Sequence, residues 1–134
     1  MSWADRSRIF EDTVPSLKRL KESGYKMGVV TNTSVDATNL MLTRHEIKDF
    51  FEVIVTREDV KRLKPDPEGI LIAIERLKAK DFYFVGDLIH DSQAAKKAGG
   101  RSIIVNRSYL KVLEFDADYV VKSLMEIPYI IQLR

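Results

Sequence analysis

Phe82-Tyr83-Phe84-Val85-Gly86-Asp87-Leu88-Ile89-His90-Asp91 is an apolar run that stops at a glycine and turns polar. It reads as a buried strand, Phe82 to Val85, bounded by Gly86. A short helix from Asp91 to Ala98 follows, closed by Gly99-Gly100, and Ser102 to Val105 reads as the next strand. Strand, helix, strand at this spacing is the βαβ unit of a parallel sheet.

The same alternation extends to both sides. Upstream, Glu11 to Ser23 reads as a helix, with Asp12 or Thr13 able to cap it and Pro15 in its first turn. Val14, Leu17 and Leu20 share a face, and Gly24 stands where the helix should stop. Met27 to Thr31 is a short apolar strand. Ser34 can cap a second helix to about His45, with Leu40 and Met41 inward, and Phe51 to Thr56 is another strand. Asp66-Pro67-Glu68 starts a third helix, with Asp66 as cap and Pro67 at its first position. Ile70, Ala73, Ile74 and Leu77 form its apolar stripe. Downstream, Tyr119 to Val121 is a short strand and Leu124 to Leu133 a closing helix with an early Pro128. The loop from Asn106 to Ala117 carries the weakest structural signal. The expectation is an α/β fold, a three-layer Rossmann-like domain with a mainly parallel sheet.

Composition narrows the function. The 134 residues are 45% hydrophobic, enough for one core-bearing domain. The net charge of +2 and the scattered basic residues argue against nucleic-acid binding. No apolar stretch approaches the roughly 18 residues of a membrane helix, so no membrane role is expected. The opening Met1-Ser2-Trp3-Ala4-Asp5-Arg6 lacks the apolar core of a signal peptide. There is no cysteine, which excludes disulfides and thiolate metal sites; a cytoplasmic location is the expectation.

Ligands of open parallel sheets bind beyond the C-terminal strand ends. Thr31-Asn32, Lys64-Pro65-Asp66-Pro67 and Gly86 to Asp91 all follow strands here. A hydroxyl, an ammonium and carboxylates at one sheet edge suit phosphoryl chemistry. Phosphate oxygens need donors and a fixed positive charge, and a divalent cation offsets the rest. Asp87 and Asp91, four apart, can face one point. Taken singly, each feature has a plainer reading: Thr31-Asn32 as a strand exit, Lys64 as a solvated lysine, Asp87 and Asp91 as turn and cap residues. His90 reads as an exposed loop histidine, and Asn32 and Ser34 as helix caps.

Jointly these segments resemble three ordered motifs of the haloacid dehalogenase (HAD) superfamily, in the branch similar to phosphoglycolate phosphatases and haloacid dehalogenases. Gly24 to Ser34 resembles the second motif, Lys64 to Pro67 the third, and Val85 to Asp91 the fourth; Ala94-Ala95 through Ala98-Gly99 also fits. The resemblance implies a HAD-like core that hydrolyses phosphomonoesters with Mg²⁺. Thr31 and Asn32 would bind phosphate, Lys64 would both bind phosphate and stabilise charge, and Asp87 would serve catalysis. Asp87 and Asp91 would hold the metal, and the ligand would be a small phosphorylated molecule.

The family's first motif, Asp-x-Asp-Gly-Thr at the end of an apolar strand, supplies the nucleophile. No Asp-x-Asp precedes Thr31, and Asp5 is followed by Arg6-Ser7 without a strand before it. The expectation is therefore a single core domain over 1–134, with 1–9 a remnant of a cap linker and the central first strand missing. Such a chain is incomplete as a catalyst on its own, since covalent catalysis lacks its first step. The strands ending at Thr31 and Gly86 would then pair directly, leave backbone groups unsatisfied, or take a strand from another chain. This predicts a homo-oligomer or a complementing chain. The alternative is a non-catalytic relative that binds phosphate or a protein. A response-regulator-like phosphoacceptor fits poorly, because its acidic pair belongs near the N-terminus.

Overall fold

The computed structural model describes residues 11–106 and 117–132. Among the described residues are five helices and five strands. They are α1 (Thr13–Glu22), β1 (Gly28–Val30), α2 (Val35–Arg44), β2 (Val53–Val55), α3 (Glu68–Leu77), β3 (Tyr83–Gly86), α4 (Ile89–Lys97), β4 (Arg101–Val105), β5 (Tyr119–Val121) and α5 (Ile127–Ile131). They alternate up to β4, after which β5 is the next described element. Single 3₁₀ turns at Lys48–Phe50, Arg57–Asp59 and Leu124–Glu126 were not foreseen. The loop expected from Asn106 to Ala117 falls almost wholly outside the described residues, as do Asp5 and the proposed linker remnant.

All strand pairs are parallel. β1 pairs with β2, β3 with β4, and β4 with β5. The strands nonetheless form two separate sheets, β1-β2 and β3-β4-β5. Helices cover both faces. Tyr83 and Val85 pack with Leu20 of α1 and Ile127 and Ile131 of α5. Phe84, pointing the opposite way, packs with Ile70 of α3 and Ala94 and Ala95 of α4. The result is the expected three-layer α/β/α arrangement.

Local chemistry explains most boundaries. Ser34 accepts the amide of Ala37 and caps α2. At α3 the start lies one residue later than the sequence suggested. Pro67 is the cap, while Asp66 Oδ1 accepts the amide of Glu68 at 2.9 Å. Glu68 in turn accepts the amides of Lys61 and Arg62, which folds the preceding loop onto the helix. One inward assignment fails: Leu40 is 67% exposed, whereas Thr38, Met41 and Leu42 are buried. At 3.6 residues per turn, Leu40 lands opposite the face those three define. The closing helix is shorter than expected and opens as a 3₁₀ turn, with Pro128 in the first turn of α5.

Candidate functional site

Lys64 is the centre of the site. Its ammonium donates to Asp91 Oδ1 at 2.7 Å and to the Val30 carbonyl at 3.1 Å, and sits 5.0 Å over the Phe84 ring. Both charged side chains are almost fully buried, at 7% and 5% exposure. A buried pair with so few other partners must be fixed by its surroundings, and three devices do this.

Asn32 clamps the lysine's backbone. Its Oδ1 accepts the Lys64 amide at 3.1 Å and its Nδ2 donates to the Lys64 carbonyl at 3.3 Å. The Lys64–Pro65 peptide is cis. Asn32 therefore supports Lys64, and its side-chain amide is engaged at both ends.

Asp91 is held from the other side. Its Oδ2 accepts the amides of Asp87 at 3.0 Å and Leu88 at 3.1 Å, at the first turn of α4. Of the two carboxylates expected to face one point, Asp91 is thus turned inward onto Lys64 and the amides. Asp87 lines the cavity between β1 and β3. Gly86 makes room for this: a Cβ there would collide with the Asp91 carboxylate.

Thr31, at the end of β1, is 3% exposed. Its hydroxyl donates to Thr33 Oγ1 at 2.9 Å and accepts the Thr33 amide at 3.1 Å. Its own amide donates to the Val55 carbonyl, which anchors the turn to β2. His90 is exposed, as expected, but lies in the first turn of α4 rather than in a loop. The structure thus gathers Thr31, Asn32, Lys64, Asp87 and Asp91 around the C-terminal ends of β1 and β3. Among the described residues, no cluster of three or more acidic or imidazole side chains forms a ready metal cage. No described helix is long and apolar enough to cross a membrane.

Sequence reasoning missed the cavity that accompanies the site. About 580 Å³ in volume, it is lined by the exposed sides of β1 and β3 and by residues of α1, α3 and α5. The sequence offers a signal for it, since the strands ending at Thr31 and Gly86 are expected to pair directly, leave backbone groups unsatisfied or take a strand from another chain; β1 and β3 do not pair with each other.

A family profile described as haloacid dehalogenase-like hydrolase matches residues 3–105. The chain is 32% identical over 126 residues to pyrophosphatase PpaX of Bacillus velezensis, covering 90% of this chain and 58% of that protein. It is 33% identical over 131 residues to phosphoglycolate phosphatase of Nitrosospira multiformis, covering 94% and 58% respectively. The crystal structure of a HAD phosphatase from Thermococcus onnurineus superposes with a TM-score of 0.86 at 34% identity, over 92% of this chain and 58% of that one. The chain therefore spans less than two thirds of the length of these relatives. With the fold, the ordered motifs and a match over most of its length in agreement, this chain belongs to the haloacid dehalogenase-like hydrolase family.

Proposed function

We propose that this chain forms the phosphate-binding half of a Mg²⁺-dependent phosphomonoester hydrolase acting on a small phosphorylated molecule in the cytoplasm. The observation that carries this reading is the buried Lys64 ammonium, fixed at the C-terminal ends of β1 and β3 beside Thr31 and Asp87. An ammonium has three donors. Two are taken by Val30 and Asp91 among the described residues, so the third can meet a phosphate oxygen. The Thr31 hydroxyl can rotate from Thr33 to a second oxygen. Asn32 contributes by holding Lys64 in register.

The donor set fits Mg²⁺ in part. Mg²⁺ is commonly held by one or two carboxylates, several waters and substrate phosphates. Asp87 would supply the carboxylate, and the cation would offset phosphate charge. Asp91, engaged with Lys64, would act by positioning that lysine. The nucleophile is the piece the sequence does not supply ahead of Thr31, where no Asp-x-Asp occurs. The turn of Asp91 onto Lys64 and two amides, rather than toward a cation, favours a second reading, in which the chain binds phosphate or a protein without turnover.

The test is hydrolysis of an aryl phosphate with Mg²⁺, beside Asp87→Asn, together with thermal unfolding in Mg²⁺ plus inorganic phosphate. Stabilisation without turnover supports a binding half that needs completion. Turnover lost in Asp87→Asn means that a nucleophile is already present in the chain. Neither stabilisation nor turnover overturns the phosphate reading.

A further inference from the structure

We propose that the loop between β2 and α3 presents a cationic rim of Arg57, Lys61 and Arg62 that reads a second anionic group on the phosphorylated substrate. This rests on the hydrolase reading above and deepens it. It narrows the substrate to a phosphate that also carries a carboxylate or a further phosphoryl group.

The charges of this loop balance in sequence but not in space. Residues 57–68 hold the bases Arg57, Lys61, Arg62 and Lys64 and the acids Glu58, Asp59, Asp66 and Glu68. Every one of these acids accepts a backbone amide. Glu58 Oε1 accepts that of Val35 at 2.9 Å, and Asp59 Oδ2 that of Thr56 at 2.8 Å. Asp66 Oδ1 accepts that of Glu68 at 2.9 Å, and Glu68 accepts those of Lys61 and Arg62 at 3.0 Å each. A carboxylate committed to amide donors is directed at the protein, where its charge is partly offset. Of the bases, Lys64 turns inward, whereas Arg57, Lys61 and Arg62 are exposed. Among the described residues, Arg57 and Lys61 form no ion pair. Arg62 reaches Asp66 only at 3.9 Å, with 79% of its own side chain exposed.

The loop is fastened to the phosphate site at both ends. At its start, the Arg57 amide donates to the Thr33 carbonyl at 3.0 Å, and Glu58 holds the first amide of α2. Towards its end, the Asn32 side chain holds the amide and carbonyl of Lys64. Asn32, Thr33 and Val35 all belong to the turn that follows Thr31. The exposed bases therefore sit on one short loop anchored on either side of that turn.

The phosphate pocket has no positive charge left for a second anion. The Lys64 ammonium lies 2.7 Å from Asp91 Oδ1, Thr31 and Asn32 are neutral, and Asp87 is an acid. In the segments 31–34, 57–67 and 86–91, the remaining lysines and arginines are the three of the rim. A guanidinium fork and an ammonium both bind carboxylate and phosphoryl oxygens, so the shared requirement is a second anionic group. A long polyanion is a poorer fit, since a net charge of +2 supplies no broad attractive field.

The probes are three non-hydrolysable ligands, methylphosphonate, phosphonoacetate and methylenediphosphonate, titrated calorimetrically into the whole chain with Mg²⁺. Expected is binding of a two-headed ligand about tenfold tighter than that of methylphosphonate, as three exposed charge pairs would give. A gain confined to phosphonoacetate identifies a carboxylate as the second group, and one confined to methylenediphosphonate a phosphoryl group; either supports the rim. Combined Arg57→Gln, Lys61→Gln and Arg62→Gln should bring the affinities within about twofold of one another, and Arg62→Gln alone should lower the preference about twofold. Lys97→Gln, in the last turn of α4, should keep it. A preference that survives in the triple variant, or that Lys97→Gln also abolishes, would overturn the proposal. Methylphosphonate bound as tightly as both two-headed ligands would overturn the rim and leave the phosphate reading standing. Binding of none of the three would overturn the phosphate reading, and the rim with it.

Discussion

Asp91 divides its carboxylate between two tasks: Oδ1 holds the Lys64 ammonium at 2.7 Å, and Oδ2 accepts the amides of Asp87 and Leu88. The division makes the pair asymmetric. Removing the charge on Asp91 leaves Lys64 buried with only the Val30 carbonyl and the Phe84 ring. Removing Lys64 leaves Asp91 with two amide donors at a helix start, where negative charge is favoured. Asp91→Asn is therefore expected to cost about 3–5 kcal/mol, the usual penalty for orphaning a buried charge, and Lys64→Met distinctly less. Urea unfolding of both variants checks the order. Equal losses, or a larger loss for Lys64→Met, would count against the asymmetry.

Gly86 is expected to resist even a methyl group. Its φ is not among the positive values that demand glycine, so the reason is space: the added Cβ would strike the carboxylate and Cβ of Asp91. Gly86→Ala should lower stability by about 1–3 kcal/mol, as overpacking does. It should also push Asp91 off Lys64, and hence weaken stabilisation by phosphate. Thermal unfolding with and without phosphate reads both effects. An unchanged midpoint would mean that the strand end yields easily.

The two expectations differ in how far the sequence announced them. That Gly86 ends a strand, and that Lys64 and Asp91 gather near it, follows from apolar runs of strand length and from three ordered motifs. Element order was legible for the same reason: Ser34, Asp66 and Pro67 are local signals whose partners lie within four residues. Partners of side chains that reach across the fold were not legible. Asn32 and Asp91 carried readings as phosphate and metal ligands. Only the three-dimensional register shows Asn32 spanning 32 residues to the Lys64 backbone, and Asp91 spanning 27 to its ammonium. The misplacement of Leu40 is a smaller case, since either of two adjacent apolar residues could have faced inward until the helix phase was set.

Asn32 offers a test of positioning separate from charge. Asn32→Ala removes both hydrogen bonds to the Lys64 backbone, with an expected cost of about 1–3 kcal/mol for the partly buried groups left behind. Asn32→Asp should not rescue it, because a carboxylate can still accept the Lys64 amide but repels the Lys64 carbonyl. If Asn32 acts through Lys64, both variants weaken phosphate-dependent stabilisation. Full stabilisation by phosphate in either variant would assign Asn32 a local role only.

The last expectation concerns the layer beneath the sheet. Asp12, just ahead of α1, accepts the Ser123 hydroxyl at 2.8 Å and the Leu124 amide at 3.0 Å. Ser123 Oγ accepts the Met125 amide at the same turn, and Ser16 Oγ reaches Met125 Sδ at 3.1 Å. One carboxylate thus fixes the start of α5 against α1 across more than a hundred residues of chain. Both helices contribute side chains to the floor of the β1–β3 cleft, Leu20 from α1 and Ile127 and Ile131 from α5. Asp12→Ala is expected to cost about 1–3 kcal/mol, while Asp12→Asn, which keeps an acceptor for both donors, should cost less. Hydrogen exchange localises the effect: amides of α5 should quicken before those of β4, because α5 has only five residues and depends on this anchor. Uniform quickening across both elements would instead mean that the cleft floor and the sheet unfold as one unit.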